Sequence, residues 1–197
     1  VQARARRTRA ALVDAAVVLL GRTGLAGCST AAVAREAGVS QGALFRHFPT
    51  KTALLAAATE AVLEQLTADF LAALPAALAS GDLLGGGIAA LWEVYQDPRL
   101  AGVFELFLAA RTDPELGAAV RPALEAHAAR ELELARAIFP EAAARLDDFD
   151  AVVVGLMSTL QGAAVAAHVL PGLAGTHELA FLTRLAREQL GAPSLPT

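Results

Sequence analysis

Leu12, Ala16, Leu19 and Leu20 recur on one helical face, which predicts an amphipathic helix from Thr8 to about Leu20, ending near Gly21 and Gly24. Ser29 and Thr30 are candidate N-caps for a short helix over about 31–37 that Gly38 stops. Ser40 can cap a third helix, over about 41–48, that runs into Pro49. Thr50 or Lys51 then opens a longer helix to about Leu74, before Pro75. Further on, Ser80-Gly81-Asp82, Gly85-Gly86-Gly87, Asp97-Pro98, Asp113-Pro114, Pro140 and Pro171-Gly172 break the pattern and leave helical segments between them. The Gly85 to Gly87 triplet lacks the Gly-Lys-Ser/Thr ending of a phosphate loop and reads as a flexible connection. No repeat of fixed period is present, and the count comes to about nine helices.

Composition strengthens the helical reading. Forty-eight residues are Ala, the best helix former, and 55% of the chain is apolar while only 5% is aromatic. The fold class is all-α. A formal net charge of -4 conceals a division: residues 1–51 hold eight Lys or Arg against two Asp or Glu, and 52–197 hold eight against eighteen. A basic head (1–51) on an acidic body (52–197) points to a polyanion, first of all nucleic acid, as the head's partner. The lone cysteine, Cys28, excludes an intramolecular disulfide and a Cys-built metal site, and fits a reducing cytoplasm.

Two membrane readings arise. Leu25-Ala26-Gly27-Cys28 looks like a lipoprotein cleavage box, but Asp14 and Arg22 interrupt the apolar segment that export requires. Ala151 to Leu170 carries no Asp, Glu, Lys or Arg and is long enough to span a bilayer. Ser158, Thr159, Gln161 and His168 favour instead a helix buried in a core or between subunits.

Within the head, Ala37-Gly38-Val39-Ser40 joins two short helices in the form of a helix-turn-helix, with Gly38 permitting the turn and Val39 plugging the angle. Val33 and Ala37 face inward on the first helix, and Leu44 and Phe48 on the second, so the aromatic rings of this stretch are expected to pack. Gly42, Ala43 and Arg46 look the other way. That face suits a DNA major groove: Gly42 and Ala43 allow close approach, and Gln41 and Arg46 can reach base edges. Thr30, Ser40, His47 and Lys51 are placed for phosphates, which position the module without reading sequence. Each piece also has a plainer reading: a solvated basic surface, a structural histidine, a buried hydrophobic cysteine.

The run STAAVAREAGVSQGALFRHFPTKTALL, with the helix before it, resembles the DNA-binding signature of the tetracycline-repressor (TetR) family of bacterial transcription regulators, over roughly Thr8 to Leu55. The resemblance implies base contacts from Gln41, Gly42, Ala43 and Arg46, and phosphate contacts from Thr30, the position of Phe45, His47 and Lys51. Phe45 stands where the family often has Tyr, which removes one phosphate hydrogen bond. Thr52 stands where an acidic residue is frequent, which weakens capping of the fourth helix.

The resemblance also implies a four-helix dimer interface built from the last two helices of each subunit. Gly155, Gly162, Ala166 and Val169 lie on one seam of the uncharged helix, and small residues there let a partner approach. Leu179, Leu182, Leu185 and Leu190 supply an apolar stripe on the last helix, with an intrachain core as the alternative. A ligand cavity is a further family-derived expectation. Trp92, Tyr95, Phe104, Phe107 and Met157 could line it, with His127, Gln161 or His168 as polar anchors, although such residues are more often plain core. The functional reading is a cytoplasmic, ligand-responsive regulator, most simply a repressor, that binds a near-palindromic operator as a homodimer and is released by a small apolar or amphipathic effector.

Two rivals have less support. An enzyme would need a constellation, yet His47, His127, His168 and His177 are scattered, no Gly-x-Ser-x-Gly elbow is present, and Glu131 and Glu133 point to different helix faces. No cofactor or metal is expected. A helical ligand carrier without DNA function would keep the pocket but leave Gln41, Arg46 and Lys51 idle.

Overall fold

Ten Ala- and Leu-rich segments are helical in the computed structural model, which describes residues 2–170 and 176–191. They are α1 (Gln2–Gly27), α2 (Thr30–Glu36), α3 (Gln41–His47), α4 (Lys51–Ala79), α5 (Leu83–Tyr95), α6 (Pro98–Ala110), α7 (Pro114–Ile138), α8 (Pro140–Arg145), α9 (Phe149–Val169) and α10 (Thr176–Leu190). No strand occurs among the described residues. The helices pack into two compact units. One comprises residues up to 66 together with 97–127, the other 67–96 together with 128 onward, so that α4 and α7 each contribute to both.

The first unit is organised by the apolar stripe of α1. Leu12, Ala16, Leu19 and Leu20 are buried against Val33 and Ala34 of α2, Leu44 of α3, Leu54, Leu55 and Ala58 of α4, Leu106 of α6 and Leu116 and Val120 of α7. Each fully buried Leu or Val contributes about 1.5–3 kcal/mol. Cys28 belongs to this core, its thiol donating to the Ala16 carbonyl at 3.8 Å. Burial raises the thiol pKa, with the Lys51 charge pulling partly back, which makes Cys28 a small core hydrophobe.

The second unit has its own core. Leu84, Ala142, Phe149, Val153, Ala186 and Leu190 bring α5, α8, α9 and α10 together, and Phe70, Leu74 and Ile138 form a further cluster from α4 and α7. Arg187 with Asp82, and Arg136 with Asp150, add exposed ion pairs of small energetic weight.

Several helix limits differ from the sequence reading. Instead of starting near Thr8, α1 is already helical at Gln2, because the run before Thr8 is Ala and Arg, both strong helix formers, with no Gly or Pro. It also continues past Gly21 to Gly27 across a kink at Gly24, whose φ is 64°. The kink frees the Leu25 N–H, which donates to the Glu105 carboxylate of α6 at 2.6 Å. α4 does not stop before Pro75 but carries it inside the helix to Ala79, and the buried Leu74 and Ala77 on either side offset the lost backbone hydrogen bond. A break at 146–148, where Leu146 is extended, separates α8 from α9 and raises the count to ten. The expected break at Pro171-Gly172 lies outside the described residues.

The glycine triplet is not a flexible connection: Gly85, Gly86 and Gly87 all lie in α5. The Asp82 carboxylate caps this helix by accepting from the Gly85 N–H at 3.0 Å. A Cβ on Gly86 would sit 2.5 Å from the Ala77 Cβ and 2.9 Å from the Ala77 Cα, so this glycine lets the last turn of α4 lie directly on α5. Gly87 has open space at the same position. Gly86→Ala should therefore lower the thermal melting point by forcing the two helices apart, at about 1–3 kcal/mol. Gly87→Ala should raise stability by up to about 1 kcal/mol through helix propensity alone. Denaturant titration of the two variants checks the contrast.

Candidate nucleic-acid interface

Three local devices set the recognition surface. The Ser29 hydroxyl accepts from the Ala32 N–H and caps α2, and the Ser40 hydroxyl accepts from the Ala43 N–H and caps α3, both at 3.2 Å. Each such cap contributes about 1 kcal/mol. Between the helices the Val39 N–H donates to the Ala34 carbonyl at 2.9 Å and the Gly38 N–H to that of Arg35 at 3.2 Å, closing α2 with a Schellman motif. Gly38 has φ 66° with nothing within 4 Å of an added Cβ, so backbone conformation, not space, demands glycine there.

The two sides of α3 are then fixed by burial. Leu44 and Phe48 are 0% and 3% exposed and lock one side into the core, while Val39 packs against the same cluster. Gln41, Gly42, Phe45 and Arg46 are exposed on the other side, and Ala43 and His47 flank it half-buried. Ala43 thus sits at the edge of the face rather than on it. The rings divide likewise: Phe48 packs as expected, but Phe45 is 46% exposed and belongs to the outer surface. An added Cβ on Gly42 would meet only the Ser40 hydroxyl, at 3.9 Å, so its smallness serves whatever approaches from outside.

Around this face, Ser40 and Lys51 are exposed and Thr30 is half-buried, each in the first turn of a helix or just before it. While capping α3 the Ser40 hydroxyl keeps its own proton to donate, so capping and a phosphate contact are compatible. Thr50 caps α4 by accepting from the Ala53 N–H at 3.0 Å. The acidic residue missing at Thr52 is supplied in space by α7, because the Thr52 hydroxyl donates to the Glu115 carboxylate at 3.0 Å. Arg9, which in sequence is only one of four arginines preceding or opening the first helix, lies with its guanidinium 5.0 Å over the Phe48 ring. Its pairing with a residue so distant in sequence left no periodic signal.

An exposed cationic face on a short, capped helix beyond a Gly turn is a major-groove reader in form. The profile of bacterial regulatory proteins of the tetR family matches residues 12–58, the span that builds this surface. An uncharacterized HTH-type transcriptional regulator of Mycobacterium tuberculosis is 33% identical over 175 residues, 86% of this chain and 87% of its own length. The chain belongs to the TetR family. Among solved structures, the multidrug binding protein EbrR complexed with proflavin is 30% identical with a TM-score of 0.64, covering 90% of this chain and 99% of that one. A TetR-family member from Streptomyces coelicolor is 27% identical with a TM-score of 0.61, covering 90% and 97%. As a TetR-family protein the chain is a transcriptional regulator of the helix-turn-helix type and not an enzyme.

The remaining residues of interest fall in both units. In the second unit the buried Tyr95 hydroxyl accepts from the Gln161 amide at 3.3 Å and lies 3.9 Å from the Met157 sulfur. Burial first, then the Glu131 charge, drives the Tyr95 pKa far up, so the phenol is neutral at any physiological pH. Trp92 is half-buried on the same helix, and the Gln96 amide nitrogen just after it is buried without a hydrogen-bond partner among the described residues. His168 is exposed, with its Nδ1 2.8 Å from the Ala164 carbonyl. Phe104 and His127 are half-buried in the first unit, where Phe107 is 60% exposed. Gln96 escaped the sequence reading, and Glu131 entered it only in a carboxylate pair set aside with the enzyme reading, because only the tertiary fold brings them into play.

The TetR signature makes two substitutions informative. Arg46→Ala should weaken binding to a specific duplex by about 1–3 kcal/mol and relax preference at one base pair, measured by fluorescence anisotropy against single-base variants. Gly42→Leu should leave the melting curve intact or higher, since the protein side is open, yet abolish specific binding by blocking approach to the groove.

Proposed function

We propose that this TetR-family protein is a cytoplasmic repressor that binds a near-palindromic operator as a homodimer and is released by a small apolar or amphipathic effector. The observation that carries the DNA reading is the outer face of α3, where Gln41 and Arg46 stand exposed around Gly42 on a helix whose other side is buried. In this reading Gln41 pairs with adenine and Arg46 with guanine, while Thr30, Ser40, His47 and Lys51 hold phosphates. Phe45 offers the sugar-phosphate edge an apolar ring. Because that face is exposed and cationic, a ligand carrier that leaves it idle has less support.

The dimer is supported by α9, a helix apolar on both sides. Phe149, Val153, Leu160 and Ala164 are buried in its own unit, whereas Val154, Val165 and Val169 are exposed together with Gly155 and Gly162. By length and composition α1 and α9 could each cross a membrane, but α1 closes a core. For α9, a second copy of the chain covers the open side. In this reading the half-buried Leu185 of α10, one turn after the exposed Phe181, extends this surface, while the half-buried Leu179 lies on the side of Leu182. Leu182, at 1% exposure, and Leu190 point into their own core and are not available to a partner.

In this reading the effector binds near Tyr95, Met157, Gln161 and Trp92, and the support is the polar contacts of Tyr95 with Gln161 and the neighbouring Glu131 charge. EbrR binds proflavin, and a planar aromatic of that kind suits a site with one aromatic wall, few polar groups and a carboxylate. The free dimer populates a DNA-competent spacing, and effector binds better to a form whose heads no longer match successive grooves about 34–36 Å apart. A near-complete switch needs about a 10⁴-fold preference.

Gly162→Glu places a charge on the uncovered face of α9 and should convert a dimer to monomer in sedimentation. Operator affinity should fall by orders of magnitude while the monomer stays folded, because the protein side of Gly162 is open. A variant that remained dimeric would move the interface elsewhere. A panel of aromatic effectors, with proflavin first, is to be tested for release of bound duplex; effectors that bind tightly yet leave duplex affinity unchanged would contradict the switch.

A further inference from the structure

The buried stripe of α1 begins at Leu12, and the helix extends well before it. Residues Gln2 to Arg7, with Arg9 and Ala10, are exposed, so about two turns project beyond the core that encloses α3. This segment carries Arg4, Arg6, Arg7 and Arg9, and residues 1–13 hold no Asp or Glu. Arg4 with Arg7, and Arg6 with Arg9, are spaced three apart, where like charges repel. Arg22, Arg99, Arg136 and Arg187 each meet a carboxylate, and the other arginines without one stand apart along the chain rather than four within six residues. Arg4, Arg6 and Arg7 meet none among the described residues. A helix that concentrates unneutralised charge in this way is built for an external anion.

Geometry says which anion. The stacking of Arg9 on Phe48 joins this arginine row to the end of α3, within the same packing unit, and Lys51 follows three residues after Phe48. At about 100° per residue, Arg6 stands on the face of Arg9 one turn earlier and Gln2 a further turn out. The arginines from Arg9 back to Arg4 therefore extend the cationic surface of α3 by about 8 Å along α1, with the polar Gln2 beyond them. An anionic membrane is the poorer match, because residues 2–9 offer only Gln, Ala, Arg and Thr and no large apolar side chain to insert.

We propose that the first two turns of α1 form a second DNA contact, in which Arg6, on the face of Arg9, grips backbone phosphates beyond the bases read by α3, while Arg7 and then Arg4, further round the helix, add to the positive field that draws them. The contact reads no sequence. It rests on the DNA-binding reading of α3 and adds affinity and salt dependence to it.

The test compares the unmodified protein with an Arg4→Ala, Arg6→Ala, Arg7→Ala triple variant and its Lys counterpart, on an operator duplex and a scrambled duplex, over about 50 to 200 mM salt. Alanine keeps the helix, so the melting curve should not fall. The expected result is a loss of affinity by a similar factor on both duplexes, with a salt slope shallower by about 0.9 for each phosphate contact removed. The Lys variant should retain most of the slope. An unchanged slope and affinity in the Ala variant would overturn the proposal, as would a loss confined to the operator. Loss of binding to anionic vesicles with DNA binding intact would reassign the surface to a membrane. If the unmodified protein bound neither duplex, the reading of α3 itself would fail, a result distinct from failure of the variant alone.

Discussion

A seven-residue helix is too short to persist in water, so the recognition surface depends on the burial of Leu44 and Phe48. Those two side chains decide which way α3 faces. Everything that makes the burial possible lies elsewhere in the chain: the stripe of α1 from Leu12 to Leu20, Val33 and Ala34 of α2, and Leu54, Leu55 and Ala58 of α4. Caps at Ser29, Ser40 and Thr50 and the left-handed Gly38 fix the chain path between these helices, leaving Gln41, Gly42 and Arg46 outward. Side-chain identity on the outer face is then free to serve a partner, because it does nothing for the core.

The same core reaches further along the chain than the helix-turn-helix. Leu106, Leu116 and Val120 belong to it, and three polar ties reinforce the attachment of neighbouring helices. Glu105 holds the freed N–H at the α1 kink, Glu115 meets Thr52 at the start of α4, and Arg22 pairs with Glu36 of α2 at 3.0 Å. The exposed pair contributes little energy, but the Glu105 carboxylate meets a backbone donor that the kink would otherwise leave unpaired. Packing therefore divides the chain differently from function. The proposed division at residue 51 states what each part binds, while α6 and the first half of α7 pack with the head.

What was legible in the sequence was local. The Ser caps, the Gly38 turn, and the split of α3 into Leu44 and Phe48 against Gln41, Gly42 and Arg46 all follow from spacing within a few residues. What was not legible depends on partners far away. Pro75 and the glycine triplet look like breaks until Ala77 is seen against Gly86, a contact that turns a helix breaker into a packing requirement. Tyr95 meets Gln161 across 66 positions, and Leu182 shares its spacing with Leu185 yet turns into its own core. An all-apolar helix such as α9 gives no periodicity from which to tell its inner face from its outer one, so only the fold separates Val153 from Val154.

If α3 reads bases and α9 pairs two chains, the DNA site must carry both facts in its sequence. Selection of bound duplexes from a random library with the purified protein tests them together. The expected result is an inverted repeat whose half-sites are about one helical turn or a multiple of it apart. Weak binding with no enriched motif, from protein shown to be free of retained ligand, would contradict it.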